Sequence, residues 1–268
     1  MEKNSVCWNI TSRCNENCQF CYRIMCSKEN TYEQNNTILD VLVKLKIDRI
    51  TWTGGECLLY PHLFDLMKKA HYNNIKNNII TNGRALTYNI IDEIEEYTDY
   101  ITFSLDALDD NVNNCLGRGI EHGKHIIELL DYLKNKNIKI KLNSIVTKKN
   151  INNIKEVASI VNNYKIQRWK LFKFISLRGN SIENKEEFDV KNEVYEKLIN
   201  EIRNQKINCP VVECKEKEIE ENYLLINPVG DFIVTANGKD KVICNFEEIE
   251  TMKIGVFCNE FRRKLGFI

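Results

Sequence analysis

Six short stretches of β character, separated by helical stretches, constrain the fold of this chain more tightly than any other feature, because the strands share one two-faced pattern. Strands are predicted over 6–10, 49–53, 78–81, 100–106, 139–146 and 168–174. Helices are predicted over 37–46, with Asn36 or Thr37 as N-cap, and over 61–72, 87–97, 122–136 and 152–164. Strands alternating with helices give a parallel α/β sheet. Strands buried on both sides of a flat, doubly wound sheet read as near-continuous apolar runs, and these do not. Thr102, Ser104 and Asp106 share one face, as do Lys139, Lys141 and Asn143, then Arg168 and Lys170, and Arg49, Thr51 and Thr53. The other faces carry Ile101, Phe103 and Leu105, then Ile138, Ile140 and Leu142, and Ile50 with Trp52. Apolar side chains turned to an outer ring of helices, with polar and basic ones turned inward, describe an α/β partial (β/α)6 barrel whose lumen holds a charged ligand. The plainer reading of each lysine is a strand-end residue reaching out to solvent.

The first strand runs directly into Cys14-Asn15-Glu16-Asn17-Cys18-Gln19-Phe20-Cys21, a CxxxCxxC run. Three thiolates can hold three irons of a four-iron four-sulfur cluster and leave the fourth iron open to a small molecule. A structural zinc site would use the same residues if Cys26 or Cys7 supplied a fourth ligand. The second strand ends in Gly54-Gly55-Glu56, where glycines let backbone approach a ligand and a carboxylate can accept from an ammonium.

Equal numbers of acidic and basic residues, 38 of each, argue against nucleic-acid binding, so any anion must meet a local cluster of cations. Eleven cysteines without regular spacing, and no twenty-residue apolar segment or signal peptide ahead of the CxxxCxxC run, suggest a protein of a reducing cytoplasm with no membrane anchor. Beyond residue 174 the regularity fades into a polar loop over 178–189, a helix over 192–205 and a hairpin of 223–226 with 232–235. The expected division is a barrel core over 1–178 and a small C-terminal extension over 179–268 packed on it as one compact unit. Cys209, Cys214, Cys244 and Cys258 form no CxxC and are read as unpaired thiols.

The CxxxCxxC run and the GGE turn one βα unit later resemble the radical S-adenosylmethionine (SAM) superfamily. Further matches narrow the resemblance: SLDALDDNVNNCLGRG from Ser104, KLNSIV from Lys141, RWKLFKF from Arg168 and NYLLI from Asn222 look like the viperin family of antiviral enzymes, in matching order over residues 5–256. The resemblance implies a cluster on Cys14, Cys18 and Cys21, and SAM held near Phe20, Gly54, Gly55, Glu56 and Ser104. It implies a nucleoside triphosphate substrate (CTP, UTP or GTP) and a product that is its 3′-deoxy-3′,4′-didehydro analogue, a chain terminator. Hydrogen abstraction from the ribose 4′ carbon starts the dehydration. By the same resemblance Arg118, Lys141 and Lys170 hold phosphates, with Arg49 where relatives carry a basic residue. Asn143 and Tyr223 position the ribose or base, Tyr223 also donating a proton to the departing hydroxyl. The electron would come from a donor such as flavodoxin or ferredoxin.

Two departures stand out. Cys57 occupies a place where the family has proline, and Cys7 one where animal members have asparagine. Other readings remain: a radical SAM enzyme acting on a peptide or another small molecule, or a non-catalytic zinc module that senses nucleotides.

Overall fold

Strands β1 (Ser5–Thr11), β2 (Arg49–Gly54), β3 (Lys76–Thr81), β4 (Tyr100–Ser104), β5 (Lys139–Val146) and β6 (Ile166–Lys173) lie side by side in chain order, each parallel to the next. The computed structural model describes residues 4–216 and 224–251. All six expected strands are present, and β5 has the expected bounds. Later segments extend the same sheet at both ends. β7 (Val211–Cys214) pairs parallel with β6, while β8 (Leu224–Ile226) pairs parallel with β1 and leads into antiparallel β9 (Phe232–Ala236) and β10 (Lys239–Cys244). β8 and β9 are the expected hairpin, whereas β7 and β10 were not foreseen.

Helices fill the crossovers: α1 (Tyr32–Leu45), α2 (Leu63–Tyr72), α3 (Tyr88–Ile94), α4 (Asp110–Leu116), α5 (His122–Leu133) and α6 (Val157–Asn163). The first begins earlier than its apolar spacing suggests, because a capping box sits upstream. Thr31 Oγ1 accepts from the Gln34 amide, and the Gln34 side chain accepts from the Thr31 amide. Thr37, expected near the cap, instead donates its hydroxyl to the Glu33 carbonyl inside the helix. The stretch expected as a polar loop contains two single-turn helices, α7 (Asn180–Glu183) and α8 (Lys185–Phe188), ahead of α9 (Asn192–Arg203).

The apolar strand faces meet the helices as expected. Trp8, Ile50, Trp52, Ile101, Phe103, Leu142 and Trp169 are buried in one core with Leu42, Leu66, Ile91, Leu130 and Val161 from the helices. Trp8 stacks on Trp52 at 5.2 Å between ring centroids. Each Leu or Ile so buried contributes about 1.5–3 kcal/mol, which is what holds the crossovers against the sheet. The polar faces of β1 to β6, with residues of β7 and β8, line a single cavity of about 940 Å³. One face of successive strands can surround a cavity only if the sheet curls, so the partial barrel follows from the lining.

The end of β2 passes very close to the chain leaving β1. Gly55 donates its amide to the Thr11 carbonyl and Glu56 donates its amide to the Arg13 carbonyl, each at 2.8 Å. A Cβ at Gly55 would collide with the Arg13 carbonyl, which is backbone and has no rotamer by which to yield. Gly55→Ala is therefore expected to lower unfolding stability by about 3 kcal/mol, measured by urea denaturation. A variant as stable as wild type would show that this contact is slack.

Candidate active site

Strand register puts the polar side chains in rows across the cavity. Ser104, Asn143 and Lys170 are successive partners on β4, β5 and β6, and Thr102 pairs with Lys141. Cys7, Thr51, Asn78 and Tyr100 form another row over β1 to β4. Arg49 opens β2, and Lys141 and Arg168 are each the third residue of their strands, so they stand toward the N-terminal ends of parallel strands. The cysteine run follows the C-terminal end of β1. Arg49, Lys141 and Arg168 thus stand toward the end of the cavity opposite the thiols, and both sets line it.

Arg168 faces inward with Lys170, and a bulge beside it adds a second residue. Ile140 pairs with Ile166 and Leu142 with Trp169, so β6 carries two residues, Gln167 and Arg168, opposite Lys141 alone, and all three line the cavity. Lys141 lies 3.5 Å above the Tyr100 ring. Burial, then the charges of Arg168 and Arg49, lowers its pKa to about 7. These are the marks of cations gathered for an anion. Arg49, Lys141 and Lys170 were expected at a phosphate site; Arg168 was seen only as a member of the inward face. Asn143 Oδ1 is buried without a hydrogen-bond partner among the described residues, an acceptor that a bound hydroxyl or amine would satisfy. Burial pushes the Cys7 thiol up to about 11 despite Lys170, so it faces the lumen as a neutral group. Tyr223 lies outside the described residues.

At the other end Cys14, Cys18 and Cys21 are free thiols on the cavity wall. Cys18 is buried with Phe20, Leu116, Phe174 and Phe188. Among the described residues no three His, Cys, Asp or Glu side chains converge as ligands of one metal ion. Three thiols on one cavity wall, with the Glu16 carboxylate 3.6 Å from Cys18 Sγ and already engaged by Arg118, fit the thiolate ligation of an iron–sulfur cluster. Burial pushes the Cys14 and Cys18 thiols up, so both need a nearby positive charge such as a metal to ionise.

Gly54 and Gly55 line the cavity, but Glu56 does not. Its buried carboxylate accepts from the Leu58 amide at 3.2 Å and from the Asn82 amide at 2.8 Å, shaping the turn rather than the wall. Asn82, which sequence reasoning missed, joins that turn to the cysteine run by donating to Asn15 Oδ1 at 2.8 Å. Cys57 is buried outside the cavity lining and donates to the Ile80 carbonyl at 3.4 Å, so this departure leaves the wall unchanged.

Arg118 lines the cavity with the other cations expected at phosphates, and it is also held by two carboxylates. Its Nε donates to Asp106 at 2.8 Å, its Nη1 donates to Glu16 at 2.9 Å, and its guanidinium lies 5.3 Å from the Phe20 ring centroid. Both carboxylates are buried. His122 Nδ1 stands 3.3 Å from Glu16 Oε1, within ion-pair range but not aligned as a hydrogen bond. Burial works to raise the Glu16 carboxyl, yet His122 and Arg118 together hold it below the usual carboxylate range. The same loop grips the cysteine run through its backbone: Gln19 donates to the Leu116 carbonyl at 2.9 Å, and Gly117, at φ 79°, lies against Asn17 where a Cβ would clash. Arg118→Met leaves the buried Asp106 carboxylate without its cation, while Glu16 keeps Arg84 at 3.6 Å, and a loss of about 3 kcal/mol is expected, read from thermal and urea unfolding. Wild-type stability with weakened triphosphate binding would return Arg118 to the phosphates.

The model of the radical SAM superfamily matches residues 8–161. A protein of Flammeovirga pacifica called S-adenosylmethionine-dependent nucleotide dehydratase is 27% identical over 246 residues, covering 87% of this chain and 83% of its own. A Lacinutrix mariniflava protein of the same description is 27% identical over 87% of this chain and 51% of its own. Among solved structures, Streptococcus suis SuiB bound to S-adenosylmethionine superposes with a TM-score of 0.73 at 16% identity, covering 98% of this chain and 68% of that one. At that identity the likeness concerns the fold alone.

Proposed function

The chain belongs to the radical SAM superfamily, and on that premise we propose that it dehydrates a ribonucleoside triphosphate to the 3′-deoxy-3′,4′-didehydro analogue. Its cofactors are a four-iron four-sulfur cluster and S-adenosylmethionine. The chemistry they supply when bound is delivery of an electron to S-adenosylmethionine and formation of a carbon-centred radical that takes a hydrogen atom.

The observation that carries the substrate class is the cation set. Arg49, Lys141 and Arg168 come from three strands into one cavity toward the end away from the thiols, with Lys170 one row nearer beside Asn143, as a polyanion with a reactive distal part requires. With the phosphates there, the ribose reaches the middle of the lumen. Asn143 then offers its unpartnered acceptor to a sugar hydroxyl, with Ser104 beside it in register. Cys14, Cys18 and Cys21 hold the cluster, Phe20 packs behind Cys18, and Gly54 and Gly55 present backbone to SAM. Glu56 acts by shaping that turn, and Arg118 by holding Glu16 within the cysteine run. Tyr223 remains our candidate proton donor to the 3′-hydroxyl as it leaves. The curled wall restricts water around the sugar, which favours loss of the 4′ hydrogen and the 3′-hydroxyl over side reactions.

The relatives described as nucleotide dehydratases support this reading. A one-electron donor such as flavodoxin or ferredoxin would supply two electrons per turnover, one for cleavage of SAM and one, with a proton, for departure of the 3′-hydroxyl as water. The ten described cysteines are all free thiols, which supports our placing the protein in a reducing cytoplasm, and no helix among the described residues is long and apolar enough to cross a membrane.

The test is incubation of reduced, iron-reconstituted protein with SAM and each NTP. We expect 5′-deoxyadenosine formation stimulated by at least one nucleotide, and a product lighter than that nucleotide by one water. SAM cleavage indifferent to every nucleotide would sink the reading and favour a peptide or other small-molecule substrate.

A further inference from the structure

We propose that residues 178–184, between β6 and α9, are a positioning strap that fixes the backbone of the cysteine run and is itself anchored on the β9–β10 hairpin. The inference rests on the reading of that run as the cluster loop, and adds residues that lie outside the motifs.

Three carbonyls of the run meet donors from the strap. Asn180 Nδ2 donates to the Cys18 carbonyl at 2.9 Å and to Asn17 Oδ1 at 3.1 Å. The Ser181 amide donates to the Cys21 carbonyl at 3.2 Å. Asn184 Nδ2 donates to the Gln19 carbonyl at 3.0 Å and shares with Gln19 Oε1 at 3.3 Å. A loop that is neither helix nor strand has few bonds of its own to set its peptide planes, and each plane sets the direction in which the neighbouring Cα–Cβ bond points. Holding the carbonyls of Cys18, Gln19 and Cys21 therefore fixes the aim of two of the three thiols.

The strap is stiff before it reaches the loop. Ser181 is fully buried, accepts from the Leu177 and Arg178 amides at 3.0 and 3.2 Å, and donates to the Arg178 carbonyl at 2.7 Å. Its other end is tied down by Arg178. That guanidinium donates to the Tyr22 carbonyl at 3.2 Å, to Thr235 at 3.0 Å and to both carboxylate oxygens of Asp240, the Nε bond being 2.7 Å. A two-pronged arginine–carboxylate pair fixes orientation as well as distance. Thr235 on β9 accepts from Arg178 and donates to the same Asp240 on β10. The hairpin beside β8 is thereby linked through Arg178 and the strap to the thiols, although the two are more than two hundred residues apart in sequence.

The experiment compares anaerobically reconstituted wild type, Asn180→Ala/Asn184→Ala, Asp240→Asn and, as a control on an exposed asparagine far from the loop, Asn162→Ala. Each is challenged with an iron chelator while cluster absorbance is followed, and the metal-free forms are melted. Groups that orient metal ligands typically change metal affinity about 10- to 100-fold. We expect the double variant to lose its cluster about tenfold faster than wild type, Asp240→Asn to lose it faster than Asn162→Ala, and the metal-free forms to melt alike. Loss at the wild-type rate in the double variant overturns the strap, and so does faster loss matched by an equal fall in metal-free melting. Asp240→Asn behaving like Asn162→Ala overturns the anchor on the hairpin. Wild type that takes up no iron–sulfur cluster overturns instead the reading of the cysteine run on which all of this stands.

Discussion

Cys18→Ser is expected to lower SAM cleavage by about three orders of magnitude or more, an amount equal to about 4 kcal/mol or more of barrier. The size follows from what is lost. With three protein ligands, removing one leaves two irons without a protein thiolate, and a serine hydroxyl is a poor replacement for a soft thiolate. Cys18 is the most sensitive choice because it is 7% exposed and packed among Phe20, Leu116, Phe174 and Phe188, so no outside group can take its place. The expected readout is loss of 5′-deoxyadenosine together with loss of bound iron, while the metal-free protein melts close to wild type. Cys7→Ser and Cys26→Ser should keep the cluster, since neither belongs to the CxxxCxxC run. If Cys26→Ser loses iron as fully as Cys18→Ser, the ligand set has been misassigned.

The strands and their inward face were readable because a parallel barrel strand exposes its period directly. Lys139, Lys141, Asn143 and Ile145 alternate with Ile140, Leu142, Ser144 and Val146, and the strand ends where the alternation ends. Helix α1 began five residues early because its start is set by the bonds between Thr31 and Gln34 and not by apolar spacing. β7 and β10 escaped notice for different reasons: one is only four residues long, and the other is polar and mostly exposed, as edge strands are. The lumen cations on alternating positions, Arg168 among them, were found, but the bulge that also brings Gln167 to the wall is something alternation does not forecast.

Arg118 shows the limit most clearly. As an arginine in a glycine-bracketed loop it has the chemistry of a phosphate ligand, and only the fold brings it to Glu16, 102 residues away. The strap asparagines carry no pattern at all. Asn180 and Asn184 sit in a polar stretch like many others in an asparagine-rich chain, and their bonds to the cysteine run span more than 160 residues. Side chains whose role is to satisfy distant backbone are legible only after the chain has folded.

Nucleotide binding is expected to draw protons onto the protein near neutral pH, and Lys141 is the reason. In the empty cavity burial comes first, then Arg168, Arg49 and Lys139, in pushing its pKa down to about 7, with Asp99 opposing. At pH 8 the empty protein therefore holds Lys141 mostly neutral, whereas a triphosphate beside it restores the charged form and takes up nearly one proton. At pH 6 the lysine is already charged and uptake from this group is small. Affinity should accordingly fall as pH rises above about 7, and calorimetry in buffers of different ionisation heat at pH 8 measures the proton directly. The stability of the empty protein has the opposite dependence. Between about 7 and the ordinary lysine range near 10.5 the unfolded chain binds more protons at this site than the folded one, so this residue makes stability rise with pH across that window. Lys141→Met should remove both the proton uptake and that rise, and weaken triphosphate binding about 100-fold at pH 6.5, as expected for losing a charge-assisted contact in a confined site. Undiminished binding by Lys141→Met, or heats that do not vary with the buffer, would mean that the polyanion does not lie against these strands, and the assignment of the lumen to a triphosphate would fall with it.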